Sequence, residues 1–196
     1  AVHEHNPAAI LYGEGWTGNV SVLPQYRRGM KKNVRMLNGI GMFSDDIRDT
    51  VKGDVFEAQQ CGFVNGKQNL ENSVRYAVAA SVWHPQVDYS GPCYTSGGPW
   101  AATPEDVVSY VSCHDNLTLW DKLTLSCPEA DEEERLVMNR LAAAMVFTSQ
   151  GISFFLQGEE FARSKPIEGS KKLAKDSYNL PLFTNSLKYD RLTEYR

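Results

Sequence analysis

The first candidate for chemistry is a glutamate between two glycines, in the run YGEGW at residues 12–16. Glycine carries no side chain, so a substrate could approach the Glu14 carboxyl closely. Trp16 offers an apolar wall beside the carboxyl and a flat face for a sugar ring. These features suit a general acid. A surface turn uses the same residue types, and the triplet alone does not decide between the two.

The second candidate is the run His114-Asp115-Asn116, which follows the β-branched segment VVSYVS. An imidazole, a carboxylate and an amide together supply donors and acceptors for a hydroxyl-rich ligand. A capped core histidine and an N-cap aspartate are the structural alternatives. Glycosidase chemistry needs paired carboxyl groups across a glycosidic bond. Glu14 and Asp115 are the pair that the sequence offers for it.

Four short apolar runs would position these residues, because each is followed by acids. The predicted strands span residues 10–12, 40–43, 107–112 and 152–156, and the acids after them are Glu14, Asp45 with Asp46, Asp115, and Glu159 with Glu160. Helical periodicity at 69–82 and 129–149 alternates with them, and a further helix is expected from about residue 185. Alternating strands and helices predict an α/β fold with parallel strands. In a (β/α)8 barrel the carboxyl ends of the strands meet at one face, so the acids are expected to cluster there, although turns and N-caps also use them.

Two polar segments lie between these elements. Residues 83–102 are rich in aromatic residues, proline and glycine, and their aromatic rings could stack on sugars. Alternatively, Trp83 and Trp100 pin this loop to the core. A second segment, predicted as a solvated basic loop, contains the lysines Lys165, Lys171, Lys172 and Lys175.

Composition excludes several classes of function. The chain has 196 residues and a net charge of −4, which argues against a nucleic-acid-binding protein. No apolar run reaches the roughly 18 residues of a membrane span. The cysteines have no C-x-x-C spacing, so neither a zinc knuckle nor a disulfide scaffold is predicted; they are Cys61, Cys93, Cys113 and Cys127. His3 and His5 lack an evident third ligand, and no metal site or cofactor is predicted, although calcium stays open.

Longer stretches of the chain resemble a known family. YGEGW and YVSCHDN resemble the third and fourth signature regions of glycoside hydrolase family 13, the α-amylase superfamily. The stretches HPQVDYSGP, PWAATPEDVVSYVSCHDNLTLWDKL and GISFFLQGEEFARSK are similar to its starch-debranching branch, the type I pullulanases. The resemblance covers nearly the whole chain and implies a retaining hydrolase of α-1,6-glucosidic linkages in pullulan and branched α-glucan.

The resemblance also implies roles for individual residues. Glu14 corresponds to the general acid/base and Asp115 to the transition-state stabiliser. His114 corresponds to a histidine that contacts the sugar beside the scissile bond, and Trp16 and Asn116 match positions that line the cleft. Residues 176–179 resemble a glucan-contacting stretch, whereas the following run Leu180-Pro181-Leu182 departs from the common pattern.

The family's nucleophile is missing from the expected place. It is an aspartate in an R-x-D motif on the fourth barrel strand, and no R-x-D precedes Glu14. Residues 1–196 are therefore expected to form one partial catalytic domain, an incomplete TIM barrel from the end of helix 4 through strands 5 to 8 to the start of helix 8. We expect this chain to be inactive alone and to be completed by the missing half of the barrel or by another copy of the chain.

Two alternatives stay open. The chain could come from another family 13 enzyme, such as an isoamylase, neopullulanase or branching enzyme. It could also be a non-catalytic piece that binds an α-glucan without cleaving it.

Overall fold

The computed structural model describes residues 1–18, 20–91 and 98–195. Its strands are β1 Leu11–Gly13, β2 Ile40–Phe43, β3 Val107–Ser109 and β4 Ile152–Ser153. Its α-helices are α1 Val2–His5, α2 Asp45–Lys52, α3 Glu71–Val78, α4 Leu119–Ser126, α5 Glu132–Thr148, α6 Leu182–Asn185 and α7 Arg191–Glu194. Single turns of 3-10 helix lie at Gln25–Arg27, Pro104–Asp106 and Glu159–Phe161, and a longer 3-10 segment spans Lys31–Met36.

The four strands form one parallel sheet in the order β1-β2-β3-β4. Tyr12 pairs with Gly41, Met42 with Val107, and Val108 with Ile152. The prediction of an α/β fold with parallel strands is therefore confirmed. Because parallel neighbours place their carboxyl ends at the same edge, the segments that follow β1 to β4 all leave the sheet on one side.

The two faces of the sheet are packed differently. Met42 and Val107 belong to a buried cluster with Trp100, whereas the adjacent residues Phe43 and Val108 point the other way, as the alternation of a strand requires. On that second face the rings of Tyr12, Phe43, Tyr110 and Phe154 meet edge to face, with centroids 4.8–6.3 Å apart. A larger buried core lies between the four helices α2, α3, α4 and α5. Its members include Ile47, Val51, Leu119, Leu123, Ala142 and Val146.

Local capping signals explain the helix starts. The Asp131 side chain accepts from the Glu134 N–H while the Glu134 side chain accepts from the Asp131 N–H, so α5 begins at Glu132 rather than at 129. Ser44 caps α2 and Thr118 caps α4 in the same way, by accepting from the N–H three residues later. Neither of these two helices was predicted from apolar periodicity. Among the described residues no helix combines the length and the apolar character that crossing a bilayer requires.

Several predicted boundaries were wrong. The helix predicted over 69–82 ends at Val78, because Ala80 and Ser81 adopt left-handed backbone angles, with φ of 58° and 52°. The strands predicted over 107–112 and 152–156 end at Ser109 and Ser153. Near residue 185 one short helix ends and a second follows at Arg191–Glu194. Cys93 lies outside the described residues, as does the middle of the 83–102 loop, and the cysteines at 61, 113 and 127 are free thiols.

Asp46, which follows β2, links three segments of the chain by hydrogen bonds. Asp46 is buried, and its carboxylate accepts from the Trp100 indole at 2.9 Å and from the Ser81 hydroxyl at 2.8 Å. Burial raises the pKa of Asp46, and the two hydrogen bonds partly offset this. Trp100 is 7% exposed and pins one end of the 83–102 loop to the core, whereas Trp83 is 68% exposed and does not.

The acid after β4 is also buried. Neither oxygen of Glu159 has a hydrogen-bond partner of ordinary geometry among the described residues. Burial raises the pKa of Glu159 to about 7, a rise that the nearby Ser112 hydroxyl and the buried Lys52 ammonium partly offset. Asp46 and Glu159 are buried and not accessible to a substrate, so of the acids predicted to cluster at this edge these two cannot contact a ligand.

The Asp46 contact predicts a difference between two tryptophan substitutions. Trp100→Phe keeps an aromatic ring but removes the indole donor, which leaves a buried carboxylate with one fewer partner. We expect the free energy of unfolding to fall by about 1–3 kcal/mol. Trp83→Phe, at an exposed site, is expected to change it by less than about 0.5 kcal/mol. Urea denaturation of both variants measures this, and equal losses would contradict the assignment.

Glu159 predicts a pH dependence of stability. The ordinary pKa of a glutamate is 4.5, and that of Glu159 in the folded chain is about 7. Between these two pH values the folded chain keeps a proton on Glu159 that the unfolded chain releases. The free energy of unfolding therefore falls as the pH rises through this range. Glu159→Gln removes this contribution. The variant should therefore gain stability relative to the parent protein, by up to about 3 kcal/mol, between pH 4.5 and 7. Urea denaturation at several pH values tests this, with the exposed Glu168→Gln as control; a constant offset between variant and parent would refute it.

Candidate active site

Three of the predicted site residues converge at the carboxyl edge of the sheet. Glu14 directly follows β1, and His114 and Asp115 lie in the connection from β3 to α4. One carboxylate oxygen of each acid and one ring nitrogen of His114 all lie within 4.8 Å of one another. The His114 Nε2 atom is 3.7 Å from the Asp115 Oδ1 atom. All three side chains are exposed, so an external ligand can reach the point at which they meet.

The same donor set is the kind that a divalent cation uses. Exposed acidic groups at such spacing are common without an ion, however, and the cluster of Glu14, His114 and Asp115 offers no further indication of a metal.

The backbone around Glu14 is fixed by its neighbours. Gly15 has a φ of +79°, and a side chain there would begin 2.9 Å from the Met42 sulfur. The Gly15 carbonyl also accepts from the Lys31 N–H at 3.0 Å. The glycine after the acid therefore serves the fold rather than substrate approach, whereas Gly13 is open, with no atom within 4 Å of where its Cβ would lie.

Trp16 is held beside the acid by a cation. The Lys31 ammonium lies 5.2 Å from the centre of the Trp16 ring and 5.6 Å from that of Trp100, and it forms an ion pair with Asp45. A lysine between two aromatic rings contributes a cation–π attraction to each. Trp16 nevertheless stays partly exposed and keeps a free area for a ligand.

An open cleft of about 390 Å³ extends from this point. Its lining consists of Trp16, Asp45, Arg48, Phe56, Asp115, Asn116, Lys175, Asp176, Ser177 and Tyr178. Of the five predicted site residues, Trp16, Asp115 and Asn116 line it. Glu14 and His114 meet Asp115 outside its lining. Of the stretch 176–179, which resembles a glucan-contacting segment, residues 176–178 form part of its wall.

Besides Phe56 and Lys175, the lining residues Asp45 and Arg48 were not predicted as site residues. They lie on α2, one helical turn apart. Arg48 makes two hydrogen bonds with Asp49, of 2.7 and 2.9 Å, and donates to the Tyr110 hydroxyl at 3.1 Å. The pKa of Arg48 is raised by its contacts with Asp49 and Tyr110 in spite of its burial. The Ser44 cap was the signal that could have revealed α2 and therefore these positions.

A buried lysine forms hydrogen bonds with the backbone of the loop that carries Asp115. Asn116 has a left-handed backbone, with a φ of 58°. Lys165 is 2% exposed, and its ammonium donates to the carbonyls of His114, at 3.1 Å, and Asn116. The prediction that Lys165 belongs to a solvated loop was therefore wrong, although Lys171 and Lys172 are exposed as expected.

The sequence of the chain is similar to those of known proteins. No family model matches the chain. It is 32% identical over 190 residues to a pullulanase of Bacillus subtilis (strain 168), covering 97% of this chain and 24% of that protein. It is 33% identical over 213 residues to the chloroplastic pullulanase 1 of Arabidopsis thaliana, covering 91% of this chain and 21% of that protein.

Solved structures agree with the sequence comparison. The pullulanase of Paenibacillus barengoltzii in complex with maltohexaose and α-cyclodextrin matches with a TM-score of 0.83 and 40% identity, covering 99% of this chain and 28% of that one. Type I pullulanase from Bacillus subtilis str. 168, complexed with maltose, matches with a TM-score of 0.84 and 30% identity, covering 98% and 25%. The chain spans about a quarter of the length of these relatives. In sequence and in fold, it is thus a relative of the pullulanases that corresponds to one segment of them.

Proposed function

We propose that this chain is the part of a starch-debranching glycosidase that carries its acid/base and its transition-state stabiliser. The reaction is hydrolysis of α-1,6-glucosidic linkages in pullulan or branched α-glucan, with retention of configuration. The observation that carries the proposal is the convergence of Glu14, His114 and Asp115 beside an open cleft, in a chain related to pullulanases. Residues 1–196 then belong to a family 13 barrel and supply its strands 5 to 8.

In this mechanism Glu14 moves the proton. In its acid form it donates to the glycosidic oxygen, so that the departing sugar leaves as a neutral hydroxyl. In the second half of the reaction the carboxylate of Glu14 removes a proton from water, which then attacks the glycosyl intermediate. Its position directly after β1, with Gly15 fixed against Met42, limits the freedom of the backbone that carries this group.

Asp115 and His114 act on the sugar ring. The transition state has oxocarbenium character, so a carboxylate close to the ring stabilises its positive charge. The imidazole of His114 donates to a hydroxyl of the same sugar. Trp16 offers a face for the apolar side of a ring, and the Asn116 amide supplies a donor and an acceptor to the cleft.

The nucleophile comes from outside this chain. Retention requires a second carboxylate about 5–5.5 Å from the acid to attack the anomeric carbon. Because the chain contains no R-x-D motif, and a second copy would lack it equally, we assign that carboxylate to another segment of the barrel. Alone, this chain binds α-glucan without cleaving it.

The ligand class is supported by the relatives. Structures of related pullulanases hold maltohexaose with α-cyclodextrin, maltose, or maltotetraose. Maltooligosaccharides are therefore the ligands with which to test the cleft of this chain.

The first test is binding by the chain alone. Isothermal titration calorimetry with maltohexaose should show binding at one site, and cellohexaose, which is β-linked, should bind more weakly. His114→Ala removes a hydrogen-bond donor to the sugar and should weaken the affinity about tenfold. Glu168→Ala, at an exposed position outside the cleft lining, is the control and should leave the affinity unchanged. Equal binding of both sugars, or an unaffected His114→Ala variant, would count against the proposal.

The second test concerns catalysis. In a protein that joins this chain to the segment with the nucleophile, Glu14→Gln should lower kcat on pullulan about 10²–10⁴-fold, because the proton donor is lost, while KM changes little. Glu168→Gln is the control. Release of reducing ends measures the rate, and analysis of the linkages cleaved separates debranching from isoamylase, neopullulanase or branching activity. Reducing ends released by the isolated chain would overturn the assignment of the nucleophile.

A further inference from the structure

Lys165 makes a complete set of hydrogen bonds from a buried position beneath the candidate active site. Its ammonium donates to the His114 carbonyl at 3.1 Å, to the Asn116 carbonyl, and to the Ser177 hydroxyl at 3.1 Å. A lysine ammonium has three N–H donors, and each has an acceptor here. Burial lowers the pKa of Lys165, whereas the Asp121 carboxylate opposes this and favours the charged form.

The three acceptors belong to two different walls of the site. The carbonyls of His114 and Asn116 flank Asp115 on either side, whereas Ser177 lies in the segment 176–178 that forms another part of the cleft lining. One cation therefore joins the loop that carries the stabilising carboxylate to the wall of the cleft.

Lys165 is itself held rigidly. The backbone N–H of Lys165 donates to one oxygen of the Asp121 carboxylate at 2.8 Å. The Ser164 hydroxyl donates to the other oxygen of that carboxylate. Asp121 is fully buried in the first turn of α4, where its own N–H donates to the Thr118 side chain at 3.1 Å. The lysine is thus anchored to the helix that follows the Asp115 loop, which makes the restraint on that loop stiff.

We propose that Lys165 is a positioning residue that orients His114 and Asp115 toward Glu14 and fixes their distance from the cleft wall at residues 176–178. Its effect on glucan rests on the function proposed above, whereas its effect on the loop does not. It contacts the loop through main-chain carbonyls and does not touch the substrate.

The test uses the histidine resonances of the chain. The chain has four histidines, and His114→Gln identifies the resonance of His114 in the proton NMR spectrum. Lys165→Met keeps an unbranched stem but leaves the three acceptors without their donor. We expect the His114 resonance to shift or broaden while those of His3, His5 and His84 stay in place. Lys165→Arg, which retains a buried cation with several donors, should restore the His114 resonance at least in part.

Controls separate this role from a general loss of structure. Lys171→Met changes an exposed lysine of the same segment and should leave all four resonances unchanged. If Lys165→Met does not fold, which would shift every histidine together, Lys165→Gln takes its place, since its shorter amide keeps the site polar but has only two donors for the three acceptors, so that at least one of the three bonds is lost. A folded variant that lacks the ammonium and keeps the His114 resonance of the parent protein overturns the proposal.

A binding measurement connects the loop to the ligand. Maltohexaose affinity should fall about tenfold in Lys165→Met and recover partly in Lys165→Arg. If the parent chain binds no maltohexaose, the proposed function fails while the NMR result still decides the role of Lys165. If the His114 resonance shifts but the affinity of a binding-competent parent is retained, positioning of the loop for the ligand is refuted.

Discussion

The site depends on the parallel pairing of β1, β2 and β3. Because the three strands run in the same direction, the carboxyl ends of β1 and β3 lie at the same edge of the sheet, on either side of β2. Glu14 and Asp115, which are about a hundred positions apart in sequence, therefore meet there. The carboxylates of Glu14 and Asp115 then approach within 4.8 Å. Reversing either strand would place its acid at the opposite edge, so the parallel direction of the strands decides whether these two carboxylates can act on one ligand.

The sequence allowed the parallel sheet and the meeting of Glu14 with Asp115 to be predicted, because both follow from the alternation of strands with helices. The strand pattern alone did not separate these two acids from Asp46 and Glu159, which also follow strands; the neighbouring residues and the family resemblance singled out Glu14 and Asp115. Asp46 is buried by Trp100 and Ser81, and Glu159 lies near Lys52; these partners come from distant parts of the chain. Burial of a strand-end acid is thus a tertiary property that local composition does not encode.

Other differences arose from signals that were present but had not been used. Ser44 and Thr118 are favoured N-cap residues, and each is followed by at least one acidic residue in the first helical turn, a pattern that favours helix starts at α2 and α4. The early end of α3 had no such signal, since Ala80 and Ser81 adopt left-handed angles within a buried cluster. Lys165 was misassigned for a similar reason, because its three acceptors come from distant loops.

The way in which Lys165 binds the Asp115 loop has an evolutionary consequence. It contacts positions 114 and 116 only through carbonyl groups, which every amino acid possesses. Substitutions at position 114, and at position 116 by residues that tolerate its left-handed backbone, would therefore leave the restraint in place while changing the groups offered to a ligand. Ligand preference could diverge among descendants of this chain without a matching change at the lysine, so that the geometry of the loop and its selectivity are inherited separately.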